Sequence, residues 1–193
     1  MENRNETDLN KVQLRKDFET GDYDRGASSV KIFLWYLVSV VFIRSGIIPF
    51  SVIIEAILKL FGAKIGRDVR IKPGIYIKAP WKLSIDDHSW LADCYIENLA
   101  YVRIGKNVCV SQDAMLLTGN HNYKSVNFDL ITKEIVLEEG SWIGARAVVC
   151  PGVTAGSHSI LTVGSIATKN LDAFGIYQGN PAVRVRERVL SSK

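Results

Sequence analysis

Hydrophobic residues in this 193-residue chain are distributed in three different ways. Residues 1–29 are polar and mixed in charge, with Gly21 and Gly26, and read as a leader that cannot build a core of its own. From 30 to 62 the chain turns almost continuously apolar. "IFLWYLVSVVFI" is followed by Arg44, Ser45 and Gly46, and then by "IIPFSVIIEAILKLFG". Pro49 is placed to start a helix there and Gly62 to stop it. From Ala63 a period of six takes over. Leu137, Ile143, Val149, Ala155, Leu161 and Ala167 stand six apart, and small or β-branched residues follow four positions later: Ser141, Ala147, Val153, Ser159 and Ser165. Upstream, Ile65, Ile71 and Ile77 keep the step, as do Ile85 with Leu91, and Ile104 with Val110 and Leu116. The phase slips by two residues near Leu83 and by one near Asn98. It stops altogether in a loop at about 118–135.

A six-residue period is neither helical nor a simple alternation. It predicts a parallel β-helix over 63–175, each hexapeptide forming one side of a coil, with a tail over 176–193. A β-sandwich would need alternation and hairpin turns such as Asn-Gly, which the chain lacks. The anchor points into the bore, and Gly144 and Gly156 beside two anchors are expected to let the chain turn its corners. Chemistry is expected where the repeat breaks, because a loop can change without disturbing the coils. In the apolar zone neither run reaches the roughly 20 residues a membrane span needs. Two helices packing on the main domain, on a partner or on a membrane face are expected. The zone lacks the charged start and small-residue cleavage site of a signal peptide.

The chain is 47% hydrophobic and 23% charged, which suits one domain with a real core. Its formal charge is +4, but Lys and Arg form no long run, so nucleic acid is not an expected partner. A small anionic ligand or an anionic membrane surface fits that charge. Cys94, Cys109 and Cys150 are odd in number and form no CxxC pair. They point to a reducing cytoplasm and to small buried side chains, not to a disulfide framework.

From about residue 22 onward the sequence resembles the hexapeptide-repeat acyltransferases. Within them it is similar to the colanic-acid-biosynthesis acetyltransferase group, relatives of the galactoside and maltose O-acetyltransferases. The resemblance rests on "YDRGASSVKIFLWYLV", "LFGAKIGRDVRIKPGIYIKAPWKLSIDDHSWL", "IENLAYVRIGKNVCVSQDA", "LLTGNHNY", "GSWIGARAVVCPGVTAG" and "GSIATKN" with "GNPAVRVR". It implies a left-handed β-helix, a rare hand for parallel connections. It also implies a homotrimer with active sites between subunits, acetyl-CoA as donor, a sugar hydroxyl in surface or exopolysaccharide synthesis as acceptor, and no metal. A cytoplasmic enzyme follows, with peripheral contact at the inner membrane face through 30–62 as one option.

A sugar hydroxyl is a poor nucleophile until a base takes its proton. An imidazole, with an unperturbed pKa near 6.5, is suited to that task near neutral pH. His121 opens the interrupted segment and matches the family's catalytic His; the alternative is a solvated loop His bonded to Asn120 or Asn122. His88 and His158 fall three residues after an anchor and read as surface corner residues, although His158 could approach a ligand from a neighbouring coil. By resemblance, Asp93 matches an acceptor-binding position where relatives carry Asn; a turn Asp is the other reading. Asn98, Asn120 and Tyr123 are further acceptor-side candidates. On the donor side the resemblance assigns Trp142 near the thioester, the backbones of Ala145 and Val163 to the pantetheine arm, and Thr168 and Lys169 to the adenine end. Arg184 and Arg186 either meet the phosphates or belong to a solvated tail. "TKNLDAFGIY" departs from the family's usual Pro after the "TKD"-like step, which puts the adenine pocket in doubt. Two other readings of the fold compete: a γ-carbonic-anhydrase-like enzyme, which needs three His converging on one zinc, and a non-catalytic trimeric scaffold.

Overall fold

The structure, a computed structural model, describes residues 11, 12, 14 and 23–191. The expected leader therefore lies almost wholly outside the described residues. From Lys64 the chain winds into a parallel β-helix with three flat faces. The first face stacks Lys64–Ile65, Leu83–Ile85, Val102–Ile104, Ile135–Leu137 and Thr154–Ala155. The second stacks Arg70–Ile71, Trp90–Leu91, Cys109–Val110, Trp142–Ile143, Ile160–Leu161 and Gly175–Gly179. The third stacks Tyr76–Ile77, Tyr95–Glu97, Met115–Leu117, Val148–Val149 and Ile166–Ala167.

The anchors are the bore. Ile71, Ile77, Ile85, Leu91, Ile104, Val110, Leu116, Leu137, Ile143, Val149, Ala155, Leu161 and Ala167 are all buried. Burying each large anchor contributes about 1.5–3 kcal/mol, so the column carries the fold. Between faces the chain turns on the third residue after the anchor. Asp68, His88, Asn107, Asp113, Arg146 and His158 adopt positive φ there, as do Gly140, Gly152 and Gly164. This corrects the expected role of the anchor-adjacent glycines. Gly144 and Gly156 do not turn the corner. A Cβ on Gly144 would sit 2.7 Å from the Val163 nitrogen, and one on Gly156 2.6 Å from the Leu171 carbonyl oxygen. They are glycines because the next coil's backbone passes too close for a side chain.

The departures from the period collect on one edge, between the third face and the first. The first is the 3-10 turn Pro80–Lys82. The second, at 98–101, lies directly above it. The third is the large excursion, which forms an antiparallel hairpin pairing Gly119–His121 with Leu130–Thr132. The one-residue slip resolves into two events, since Leu91 to Ile96 is a step of five and Ile96 to Ile104 a step of eight.

The apolar zone forms α1, Ser29–Val38, which continues as the π-helical turn Ser39–Arg44, and α2, Ser51–Leu60. Pro49 stands two residues before α2 rather than inside its first turn, and Gly62, at φ +101°, lies just past its end. Trp35, Ile43, Ile54 and Leu58 are buried and join the bore. Trp35 donates its indole N–H to the Ile77 carbonyl at 2.9 Å, so the helices plug the first coil. No helix among the described residues is long and apolar enough to cross a membrane. The tail is also more ordered than expected. Gly175–Gly179 extends the second face, and Ala182–Glu187 folds back on it antiparallel.

Candidate active site

The hairpin holds His121 close to the rigid coil. Thr118, buried at its root, receives the Ala100 N–H on its Oγ1 at 3.0 Å and donates to the Glu97 carbonyl at 2.9 Å. Three residues later, the half-buried His121 pairs across the hairpin with Leu130. Its Nδ1 lies 2.8 Å from the Phe128 carbonyl oxygen, and its ring stacks on Phe128. A carbonyl only accepts, so in the neutral ring the proton resides on Nδ1 and Nε2 is the proton-accepting nitrogen. Asn120 turns its Oδ1 back onto the His121 N–H at 2.8 Å, and Asn122 accepts from the Lys124 N–H at 3.2 Å. Both Asn shape the hairpin. Tyr123 lies exposed near its tip.

The donor-side candidates lie elsewhere on the prism. Trp142 stands half-open on the second face with its indole N–H on Ser111 Oγ at 3.0 Å. Ala145 and Val163 follow on the edge between the second and third faces, joined by the Gly164 N–H to Ala145 carbonyl bond of 2.9 Å. The exposed Asp93 occupies the same edge in an earlier coil. Arg184 and Arg186 extend from the terminal strand of the second face, both exposed, and Arg184 lies 3.8 Å from Asp172. Thr168 and Lys169 are exposed just beyond the last strand of the third face. Within one chain, then, the third face separates His121 from Asp93, Trp142, Ala145 and Val163. The outward column of that face is Tyr76, Tyr95, Met115, Val148 and Ile166, all half-buried. Tyr76 and Tyr95 stack at 4.2 Å, and burial pushes the Tyr95 hydroxyl pKa up.

Asn98 departs from its expected acceptor role. It is fully buried, and its amide receives the Ala79 N–H at 2.9 Å while donating to the Ala79 carbonyl at 2.6 Å and the Lys82 carbonyl at 3.1 Å. It clips together the first two excursions of the irregular edge. His88 is exposed, 3.4 Å from Asp68. His158 is half-buried rather than solvated: its ring stacks on Phe174 at 4.9 Å and its Nδ1 lies 2.8 Å from Ser157 Oγ. The three His fall on different coils, with His88 and His158 on the edge between the first and second faces and His121 on the edge between the third and the first. Among the described residues no group of three or more His, Cys, Asp or Glu is placed to hold a metal ion.

Sequence reasoning missed one concavity. A cleft of about 410 Å³ opens beside the hairpin root, lined among others by Tyr23, Trp81, Lys82, Tyr101 and Glu134. Residues 23–26 close it as a strap. The Trp81 indole donates to the Arg25 carbonyl at 2.8 Å, and the buried Lys82 donates to the carbonyls of Asp24 and of Leu99, the latter at 2.6 Å. Burial lowers the Lys82 pKa. The phase slips near Leu83 and Asn98 are its traces in the sequence.

Comparison with known proteins finds relatives along most of the chain. No protein-family model matches the chain. The Escherichia coli protein named "Putative colanic acid biosynthesis acetyltransferase WcaF" is 36% identical over 167 residues, covering 86% of this chain and 91% of its own length. The chain belongs to the hexapeptide-repeat acetyltransferases. The galactoside O-acetyltransferase of Escherichia coli is a more distant member, 28% identical over 69% of this chain and 68% of its own. Among solved structures, a hexapeptide-repeat acetyltransferase of Vibrio cholerae complexed with acetyl coenzyme A superposes with a TM-score of 0.77 at 20% identity, over 88% of this chain and 94% of that one. A galactoside acetyltransferase in complex with coenzyme A gives 0.71 at 25% identity, over 82% and 80%.

Proposed function

We propose that the protein transfers acetyl from acetyl-CoA directly to a sugar hydroxyl in surface-polysaccharide synthesis. His121 is the general base, and each site is shared between neighbours in a homotrimer. The hydroxyl oxygen attacks the thioester carbonyl carbon while its proton passes to Nε2 of His121. The tetrahedral intermediate then collapses, the C–S bond breaks, and the departing sulfur takes the proton back from the imidazolium. The Phe128 carbonyl keeps the ring in the tautomer this requires and stabilises the imidazolium it becomes. The relatives bound to coenzyme A support the choice of donor, and WcaF and the galactoside O-acetyltransferase support a saccharide acceptor.

One observation carries the reading: His121 lies on one edge of the third face, while Ala145 and Val163 lie on the opposite edge with Trp142 just beyond it. A second chain packed along that face would bring the hairpin of one subunit against Trp142, Ala145 and Val163 of the next. Asp93, on the same edge, would then face the acceptor, and Tyr123 would cover it. Along the groove, Thr168, Lys169, Arg184 and Arg186 supply hydroxyl, ammonium and guanidinium groups for the adenine and phosphate end. The three thiols and the donor fit a cytoplasmic reaction. The test is His121→Ala assayed with labelled acetyl-CoA and a panel of sugars. A fall in kcat of about 10²–10⁴-fold with unchanged acetyl-CoA affinity is expected. Intact turnover would remove the base, and a wild-type chain that never binds acetyl-CoA would leave only a scaffold.

A further inference from the structure

The helical plug is apolar on both sides. Trp35, Ser39 and Ile43 of the first helical stretch, with Ile54 and Leu58 of α2, face inward and are buried. That accounts for one side. On the other, Val30, Phe33, Leu34, Leu37 and Val41 follow helical spacing and are all exposed, as are Val52, Ile53 and Leu60 of α2. The connecting loop adds Ile47 at 71% and Phe50 at 64% exposure. Single exposed apolar residues are ordinary, but ten of them on two helices and the loop between them mark a contact surface.

The charge around it identifies the occupant. Residues 29–78 contain eight Lys and Arg against two acids, Glu55 and Asp68, although the whole chain carries only +4. Among the described residues, Lys31, Arg44, Lys59, Lys64, Arg70 and Lys72 make no ion pair. A second copy of the same face would set like charges against each other. A spanning arrangement is excluded for these helices by length, since α1 (10 residues) and its π-helical continuation (6 residues) together extend about 24 Å at most against a hydrocarbon core of about 30 Å. We infer that α1, α2 and the loop between them dock in the plane of an anionic lipid surface. The exposed apolar side enters the headgroup boundary and the surrounding cations meet lipid phosphates. The inference goes beyond acetyl transfer and does not depend on it.

Vesicle co-sedimentation of the purified full chain tests this. Binding to phosphatidylcholine vesicles containing phosphatidylglycerol is expected, with weaker binding to phosphatidylcholine alone and release by high salt. Phe33→Glu combined with Phe50→Asp should cut partition by about tenfold or more. Lys59→Glu combined with Lys72→Glu should weaken binding to the anionic vesicles only. All four positions are exposed, and unchanged circular dichroism and acetyl-CoA binding would show that the fold and donor site persist. A wild-type chain that ignores anionic vesicles, or a Phe pair variant that binds them as well as wild type, would overturn the inference. So would light scattering in which the Phe pair variant alone loses subunits, because a second copy would then be the occupant. Because partition is read without acetyl transfer, its failure is distinct from failure of the transferase reading.

Discussion

The Phe128 carbonyl oxygen lies 2.8 Å from Nδ1 of His121, and the Phe128 ring stacks on the same imidazole with centroids 4.4 Å apart and planes 9° apart. One residue therefore holds the candidate base both in its plane and across its face. Phe128 does so from a left-handed backbone, φ +52°, a conformation unfavourable for a bulky side chain. That geometry is what aims its carbonyl back across the hairpin.

Two substitutions separate the two contacts. Gly tolerates positive φ, so Phe128→Gly should keep the carbonyl in place and lose only the ring, lowering kcat by about tenfold or less. Pro is locked near φ −65°, so Phe128→Pro should swing the carbonyl away and lower kcat by about 10²-fold. Acetyl-CoA affinity should hold in both, because Trp142, Ala145 and Val163 lie across the third face from the hairpin. Equal rates for the two variants would mean that the carbonyl does not orient the base.

A site shared between subunits, as proposed above, makes a prediction about mixtures. His121→Ala and Trp142→Ala should each be nearly inactive as pure preparations. Unfolded and refolded together, they should form mixed trimers in which some interfaces pair an intact His121 with an intact Trp142. Activity should then return to a substantial fraction of wild type. If the mixture stays as inactive as its components, both groups serve a site within one chain.

How far the sequence reaches can be argued from single positions. The bore was legible because an anchor every six residues is a one-dimensional signal, and Leu137 through Ala167 repeat it without a break. The hairpin that carries His121 was legible because the break in that signal is as local as the signal. Gly144 was visible, but the reason for it was not. Its missing Cβ reflects the backbone of Val163, nineteen residues away in the chain and one coil away in space. Asn98 failed for a related reason. A polar residue at a phase slip looks the same whether it faces a ligand or a buried backbone, and only the burial of Ala79 and Lys82 beside it distinguishes the two. The strap at 23–26 lies outside the repeat, so periodicity says nothing of its contact with Trp81.

Asn98 should therefore behave as a structural residue. Asn98→Ala removes three hydrogen bonds from a buried corner and leaves backbone groups of Ala79 and Lys82 unpaired. A loss of about 2–4 kcal/mol in urea unfolding is expected. The KM for the sugar acceptor should change little in the fraction that remains folded. A variant of wild-type stability with a raised acceptor KM would return Asn98 to the binding site.

Cys94 offers a test through pH. It is fully buried, and burial pushes its thiol pKa up to about 12 from an ordinary 9.0. Below pH 9 the thiol is neutral in both folded and unfolded chains, so its burial costs no ionisation. Above that, the unfolded chain releases the proton while the folded chain retains it, and each step in pH favours unfolding. The stability of the wild-type chain relative to Cys94→Ala should thus be constant up to about pH 8 and then decline. The limiting slope is about 1.4 kcal/mol per pH unit, and the decline continues toward the folded pKa. Urea unfolding of both proteins at one fixed concentration, at pH 7, 8, 9 and about 10, measures that difference. Parallel curves across the range would mean that the thiol reaches solvent and is not part of the packed bore.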